Sequence, residues 1–453
     1  MRRTQKNTGE TSPDHAVGWW RNRAELTLPM LGLLALFCTH MYFVNRYGVN
    51  IAFSDDYNEI LRNLVSALDA GSFTGSVKQM FYGFGISKPI MARMVARLHY
   101  LLLGEINFRY LVLTGSLFLL PLCLVLGAAT WKVNRYLMVA AGCMVLQPQH
   151  WEAIFQATLS NSVFSCLFFS MAAIYCAARE EGPWHIAALG FAVLAQMSFG
   201  NGFLVYPILM MMTVLTRKFR LCAVVLAQTV LTTWLYTFGT TVSLAEGTKV
   251  GLIEKLKMIF FWLPEFYGSS LGYLCGSGYS RQPPGETVSF VLGLMIIVFY
   301  SFLLARKYWR QNLLLFSLLT FFMLTGVLAA WQRFDIEVPG ASRYQIQSAL
   351  CVLLVLSIAV DLYAGKLNRH LVTVLIVGFP LAFTLTSYKT NYPAVLFHKN
   401  RLISDLVSWQ KTGVGLTIWS EREAAGALLI ECMNRNIYRL PSREAMMADY
   451  WKK

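Results

Sequence analysis

Charge is what this chain has least of. Only 14% of its 453 residues are Asp, Glu, Lys or Arg, and just 24 are acidic. That is too little to clothe a water-borne globular protein of this length, so a soluble fold is excluded. No set of His, Cys and carboxylates has metal-ligand spacing, and no glycine-rich phosphate loop occurs. A cytoplasmic nucleotide-sugar enzyme is therefore disfavoured, and no cofactor or metal is expected. The nine cysteines make no disulfide framework. Cys38, Cys123, Cys143, Cys166, Cys176, Cys222 and Cys351 fall in apolar runs, where cysteine acts as a small hydrophobe; only Cys275 and Cys432 lie elsewhere. Internal repeats and Gly/Ser linkers are also missing.

What the chain has instead is apolar length. Hydrophobic residues make up 56% and the mean hydropathy is +0.48. They gather in blocks of about 18 to 22 residues, enough to cross a roughly 30 Å hydrocarbon layer. The expected fold is an all-α polytopic membrane protein of about eleven transmembrane helices. The spans read as Leu26–Val44, Tyr110–Thr130, Tyr136–Leu146, Leu159–Ala178, Trp184–Phe199, Phe203–Leu215, Leu221–Val242, Thr287–Ala305, Leu313–Trp331, Ile346–Val360 and Leu371–Tyr388. The first reads as an uncleaved signal anchor behind a basic flank of Arg2, Arg3, Lys6, Arg21 and Arg23.

The net charge of +15 sits mainly in short clusters between spans. Lys132 and Arg135, Arg179, the Arg217–Arg220 cluster, Arg306 with Lys307 and Arg310, and Lys366 with Arg369 fall on every second loop. That is the positive-inside pattern and not a nucleic-acid footprint. It puts the N-terminus in the cytoplasm and the C-terminus outside. Met258–Leu274 is apolar but interrupted by Pro264, Glu265 and Gly268; counting it as a span would break the charge rule, so it is expected in or near the external interface.

Three regions follow: a cytoplasmic tail (1–25), a membrane domain (26–388) and an external C-terminal subdomain (389–453). The membrane domain carries two long external loops, 45–109 and 243–286. The first of these should hold interfacial helices, among them Tyr57–Leu68 and Pro89–Leu103. The tail reads as a small α/β unit, with helices at Leu402–Gln410 and Glu421–Asn434 and strands at Val414–Trp419 and Ile437–Leu440. Long polar loops place the functional site on the external side.

In so charge-poor a chain, the adjacent carboxylates of Asp55 and Asp56, about ten residues past the first span, stand out. A carboxylate beside a desolvated pocket can take the proton that an attacking hydroxyl must lose. The simpler reading is that Asp55 or Ser54 caps the following helix, with Asp56 at its positive end. Both can hold.

That carboxylate pair, leading into interfacial helices, resembles the GT-C superfamily of polyprenyl-phosphate-sugar glycosyltransferases. Gln149-His150-Trp151-Glu152 with Gln156, Phe199-Gly200-Asn201-Gly202, Gly268-Ser269-Ser270, Ala341-Ser342-Arg343-Tyr344 and Tyr438-Arg439-Leu440-Pro441 resemble stretches of bacterial multi-span proteins of surface-polysaccharide assembly. The resemblance implies catalysis at Asp55 or Asp56, a polyprenyl-phosphate-sugar donor, a glycan or lipid-linked acceptor, and a bacterial inner membrane. The chain has a smaller outer domain than the larger members.

The leaving group would be a polyprenyl phosphate, which fixed cations at the interface would neutralise. The candidates are Arg343 with Tyr344 at the tenth span, Arg333 at the exit of the ninth, and Lys88, Arg93 and Arg97, the last two sharing one helix face. Contact with anionic lipid headgroups is the simpler fate of such residues. Trp151, Glu152 and Gln156 could hold a sugar, although an interfacial tryptophan often serves only as a belt residue. Asn201 reads as a tight turn facing the same cavity, and His40 as a hydrogen-bonded core residue. A transporter or flippase of lipid-linked glycans is the alternative from another class; it would carry ionisable residues or broken helices at mid-membrane. An O-antigen-type polymerase is the nearer alternative.

Overall fold

The computed structural model describes residues 13–84, 88–179, 182–237, 240–241, 251–272, 274, 285–335, 338–363, 368–413, 416, 422–442, 444 and 446. Arg2, Arg3, Lys6, Cys275, Lys366 and all of Val414–Trp419 except Leu416 lie outside them.

The described chain is helical apart from a two-residue parallel pairing of Gly83–Phe84 with Thr240–Thr241. Helix α1 (Pro13–Tyr47) leads into a loop that carries a single π-helical turn, Tyr57–Arg62. There follow α2 (Asn63–Asp69), α3 (Phe73–Phe81) and α4 (Ile90–Leu103). The bundle continues through α5 (Phe108–Leu117), α6 (Leu119–Thr130), α7 (Leu137–Val145), α8 (Trp151–Phe155) and α9 (Ala157–Ala177). Next come α10 (Gly182–Ser198), α11 (Val205–Leu215), α12 (Phe219–Thr237) and α13 (Leu252–Gly272). Helices α14 (Gly285–Ala305), α15 (Leu313–Arg333), α16 (Ser342–Tyr363), α17 (Arg369–Thr412) and α18 (Arg422–Asn434) complete the chain.

Among the described residues, eight helices are long and apolar enough to cross a membrane. The other three expected spans are shorter. Leu137–Val145, at 1.5 Å per residue, reaches only about 14 Å and cannot cross alone. It ends in a 3₁₀ turn at Pro148–His150 and restarts as α8, so the chain is broken inside the bundle. Gln147 meets two of the freed backbone groups. It donates to the Met144 carbonyl at 3.3 Å and accepts the Gln149 N–H at 2.7 Å, while Ser387 donates to its side-chain oxygen. Helix α9 is the central post, with nearly every residue from Ala157 to Ile174 buried. Gly115 of α5 lets it approach, because a Cβ there would collide with Ser160.

Of the segment Met258–Leu274, Met258–Gly272 belongs to α13, and Phe266 to Ser270 are buried between α14, α15 and α16. The approach is set by glycine, since a Cβ on Gly268 or Gly293 would strike the Ser289 or Pro264 carbonyl. Only the first half of α13, with Leu252, Ile253 and Leu256, is exposed. The expectations for the tail change: Leu402–Gln410 is no separate helix. It is the end of α17, whose 44 residues reach about 66 Å and pass through Pro380 and Pro393 unbroken. Of the expected tail strands, Ile437–Leu440 is reduced to one parallel bridge from Tyr438 to Ile106.

Candidate functional site

Asp56 is buried to 1% exposure and is the tie between the first loop and the central post. Its carboxylate accepts the Thr158 N–H at 2.7 Å, the Thr158 hydroxyl at 2.8 Å, the Ala157 N–H at 3.3 Å and the Phe53 N–H at 3.2 Å. Those first two amides open α9, and Gln156, at the cap position, offers them no side chain. Asp56 is therefore an N-cap supplied from a hundred residues away, at the positive end of a 21-residue helix. Burial pushes its pKa up to about 7, while the hydrogen bonds from Thr158, Phe53 and Ala157 act the other way. The expected cap of the following helix by Asp55 or Ser54 is not found. The following π-turn has no side-chain cap, and it is α9 that receives one.

Asp55 is the opposite case. Its side chain is exposed, and it follows Ser54, which sits at φ +52°. A left-handed conformation costs a residue with a side chain about 1–2 kcal/mol, so surrounding contacts must hold this turn. The two adjacent carboxylates are therefore differently employed: one is locked into the fold, the other is presented.

Around this turn the structure gathers several expected residues. Phe53 packs edge-on against His398 at 4.7 Å between ring centroids, and His398 lies 5.0 Å from Trp151. Trp151 and Gln156 are buried; Glu152 is half-buried and its carboxylate accepts the Arg343 N–H at 3.3 Å. Ser342 bridges the same elements, accepting the Glu152 N–H at 3.2 Å and donating to the Gln149 carbonyl at 2.8 Å. The Arg343 guanidinium lies 5.8 Å from the Tyr344 ring, which itself meets Trp262 and Phe266. Trp151, Glu152, Gln156, Arg343 and Tyr344 thus gather at the end of the bundle where α1 and α15 stop and α9 and α16 begin, and the loop that carries Asp55 and Asp56 joins that end through the Phe53–His398 contact and the Asp56 cap. Arg333 closes α15, half-buried, at the same end.

The remaining candidates have partners in other parts of the fold. Arg93 is buried, pairs with Glu59 and donates to the Met80 and Tyr82 carbonyls at 2.7 and 2.6 Å. Arg97 donates to the Ser76 carbonyl at 2.6 Å and to Asn63 Oδ1 at 3.0 Å. Both arginines tie the loop helices together, and the helix face that they share is covered by α3 and the π-turn. Burial lowers the Arg97 pKa to about 10, with the Arg93 charge adding to it. Lys88 is buried against α12, donating its Nζ to the Tyr236 carbonyl at 2.8 Å. Asn201 is buried and accepts from Cys166 Sγ at 3.1 Å, deeper along α9 than the Asp56 cap.

Two residues at this end had no role assigned from the sequence. Glu59 is a carboxylate whose pKa burial raises, with Arg93 lowering it and the Asp55 charge raising it further. Its spacing of four from Asp55 was the available signal. His398 is 6% exposed, and its Nε2 has no hydrogen-bond partner among the described residues. Nothing local in the sequence marks it, because it comes from the far half of α17. His40 is fully buried as expected of a core residue, but neither ring nitrogen has a hydrogen-bond partner among the described residues. Among the described residues no three of His, Cys, Asp and Glu gather as a cation site.

Compared with protein-family models, curated proteins and solved structures, the chain matches none.

Proposed function

We propose that this protein transfers a sugar from a polyprenyl-phosphate donor to a cell-surface glycan or lipid-linked acceptor, on the external face of a bacterial inner membrane. One observation carries the reading. One end of an apolar bundle carries an exposed carboxylate, Asp55, beside a strained residue, Ser54; the nearby Phe53 reaches Trp151 through His398, and Glu152, next to that tryptophan, accepts the Arg343 N–H. In the proposed step the acceptor hydroxyl attacks the anomeric carbon. Its proton passes to Asp55, the carbon–oxygen bond to phosphate breaks, and polyprenyl phosphate leaves with the electron pair. Arg343 lies at the start of α16, where it would neutralise the departing phosphate. Trp151 and Glu152 would hold the sugar, with Arg333 and Tyr344 at the rim.

Arg343→Lys should lower transfer at least about tenfold while the protein still accumulates, because an ammonium cannot reproduce a two-pronged guanidinium contact. Full transfer in that variant, measured as surface glycan per amount of protein, would reduce Arg343 to a lipid anchor.

The orientation is part of the proposal. Basic loops alternate with long polar ones, so a reporter active only outside the cytoplasm should work when fused after Lys453. Activity of a cytoplasm-only reporter at that junction would put the site on the wrong face.

The broken helix of α7 and α8, with Gln147 and Gln149 buried at the break, favours a second reading. Transporters build their substrate sites at such interruptions, and a flippase for lipid-linked glycans would use this one. A flippase has no need of a proton acceptor at Asp55, so the Asn variant at that position separates the two.

A further inference from the structure

The segment after α18 is fastened to the first loop. Ile106 donates its N–H to the Ile437 carbonyl at 2.7 Å, and Tyr438 forms the parallel bridge beside it. Tyr438 is buried, packs edge-on against Phe108 at 5.4 Å, and donates its hydroxyl to the Asn50 carbonyl at 2.6 Å. Asn50 also donates its amide to the Arg439 carbonyl at 3.3 Å and accepts the Phe108 N–H at 2.8 Å. Two outer ion pairs flank this hub, Arg435 with Asp69 at 2.5 Å and Arg439 with Glu105 at 3.4 Å. Exposed pairs of that kind add little, so the attachment rests on the buried Tyr438 and on Asn50.

The position of this hub along the chain matters. Asn50 stands five residues before Asp55, and Asp56 is anchored to the start of α9. Only Ile51 to Asp55 runs between the two anchors, and Ser54 within it is left-handed. A turn in that conformation keeps its shape only if both ends are held. The α9 cap holds one end, and the C-terminal segment holds the other.

We propose that Tyr438 and Asn50 are positioning residues that fix the Asp55 turn, making the C-terminal segment a structural part of the site. The consequence for turnover rests on reading Asp55 as the base; the attachment does not.

The test is hydrogen exchange on the full-length Tyr438→Phe protein, read by mass spectrometry, alongside surface glycan in cells. The variant removes one hydroxyl and keeps the ring packing. Exchange over 50–62 should rise about tenfold, the change that loss of one buried hydrogen bond makes to a local opening, while α15 and α16 stay as in the wild type. Glycan per amount of protein should fall with it. Asn50→Ala should loosen the same peptides, and it serves if Tyr438→Phe fails to accumulate. Unchanged exchange over 50–62 in both variants would overturn the proposal, as would a rise spread over the whole bundle. A local rise with unaltered glycan would overturn the positioning role. If Asp55→Asn leaves glycan intact, the transfer reading fails, while the exchange data still decide the attachment.

Discussion

Replacing Asp56 by alanine should deplete the folded protein from the membrane. The change strips the acceptor from three amides and one hydroxyl at once, all of them at or beside the start of the most buried helix. A lost cap costs about 0.5–2 kcal/mol, and each buried donor left unmet about 1–3 kcal/mol, against a total stability of only about 5–15 kcal/mol. Asn keeps one acceptor oxygen, so Asp56→Asn should fall between wild type and Asp56→Ala. A pH signature accompanies this. The folded-state pKa of about 7 lies above the ordinary 3.8, so the folded form holds the proton more tightly than the unfolded form between those values. That contribution to stability is full below about 4 and is lost as pH rises to about 7. Thermal stability of the purified protein should therefore decline across that window, and Asp56→Asn should flatten the slope. Equal melting of all three proteins at every pH would contradict the distant cap.

Asp55→Asn should do the reverse: normal amounts of folded protein and almost no transfer. Asp55 is exposed, so the amide substitution leaves no buried donor unmet and should shift stability little. Loss of a general base, by contrast, lowers turnover by about 10²- to 10⁴-fold. Two neighbours of identical chemistry are thus expected to fail in opposite ways, one in folding and one in reaction. Environment alone separates them, since one carboxylate is sealed against α9 and the other stands on a left-handed turn.

The sequence was most legible where periodicity and length decide the answer. Runs such as Leu313–Trp331 and Ile346–Val360 are nearly the helices found, because a span must satisfy its own backbone and tolerates few charges. Shorter apolar runs were ambiguous. Tyr136–Leu146 looks like a span by hydropathy, yet the turn at Pro148 ends it within the bundle. Side-chain partners across the fold were the least legible part. Spacing put Arg93 and Arg97 on one helix face but could not reveal that Glu59, Met80 and Ser76 would cover it. The carboxylate pair was visible, whereas the division between Asp55 and Asp56 depends on Thr158, a residue 102 positions away. His398 was invisible for the same reason, since α17 brings it to Phe53 and Trp151 from beyond the last span.

The transfer reaction at Asp55 is the central claim, and one measurement reaches it most directly. Membranes holding equal amounts of wild-type or Asp55→Asn protein would be given radiolabelled polyprenyl-phosphate sugars, and label transferred to glycan or lipid-linked acceptor would be counted. Transfer by the wild type and a fall of at least about a hundredfold in the variant is the expected result. Equal transfer by the two proteins, or none by the wild type with any donor of that class, would contradict the account.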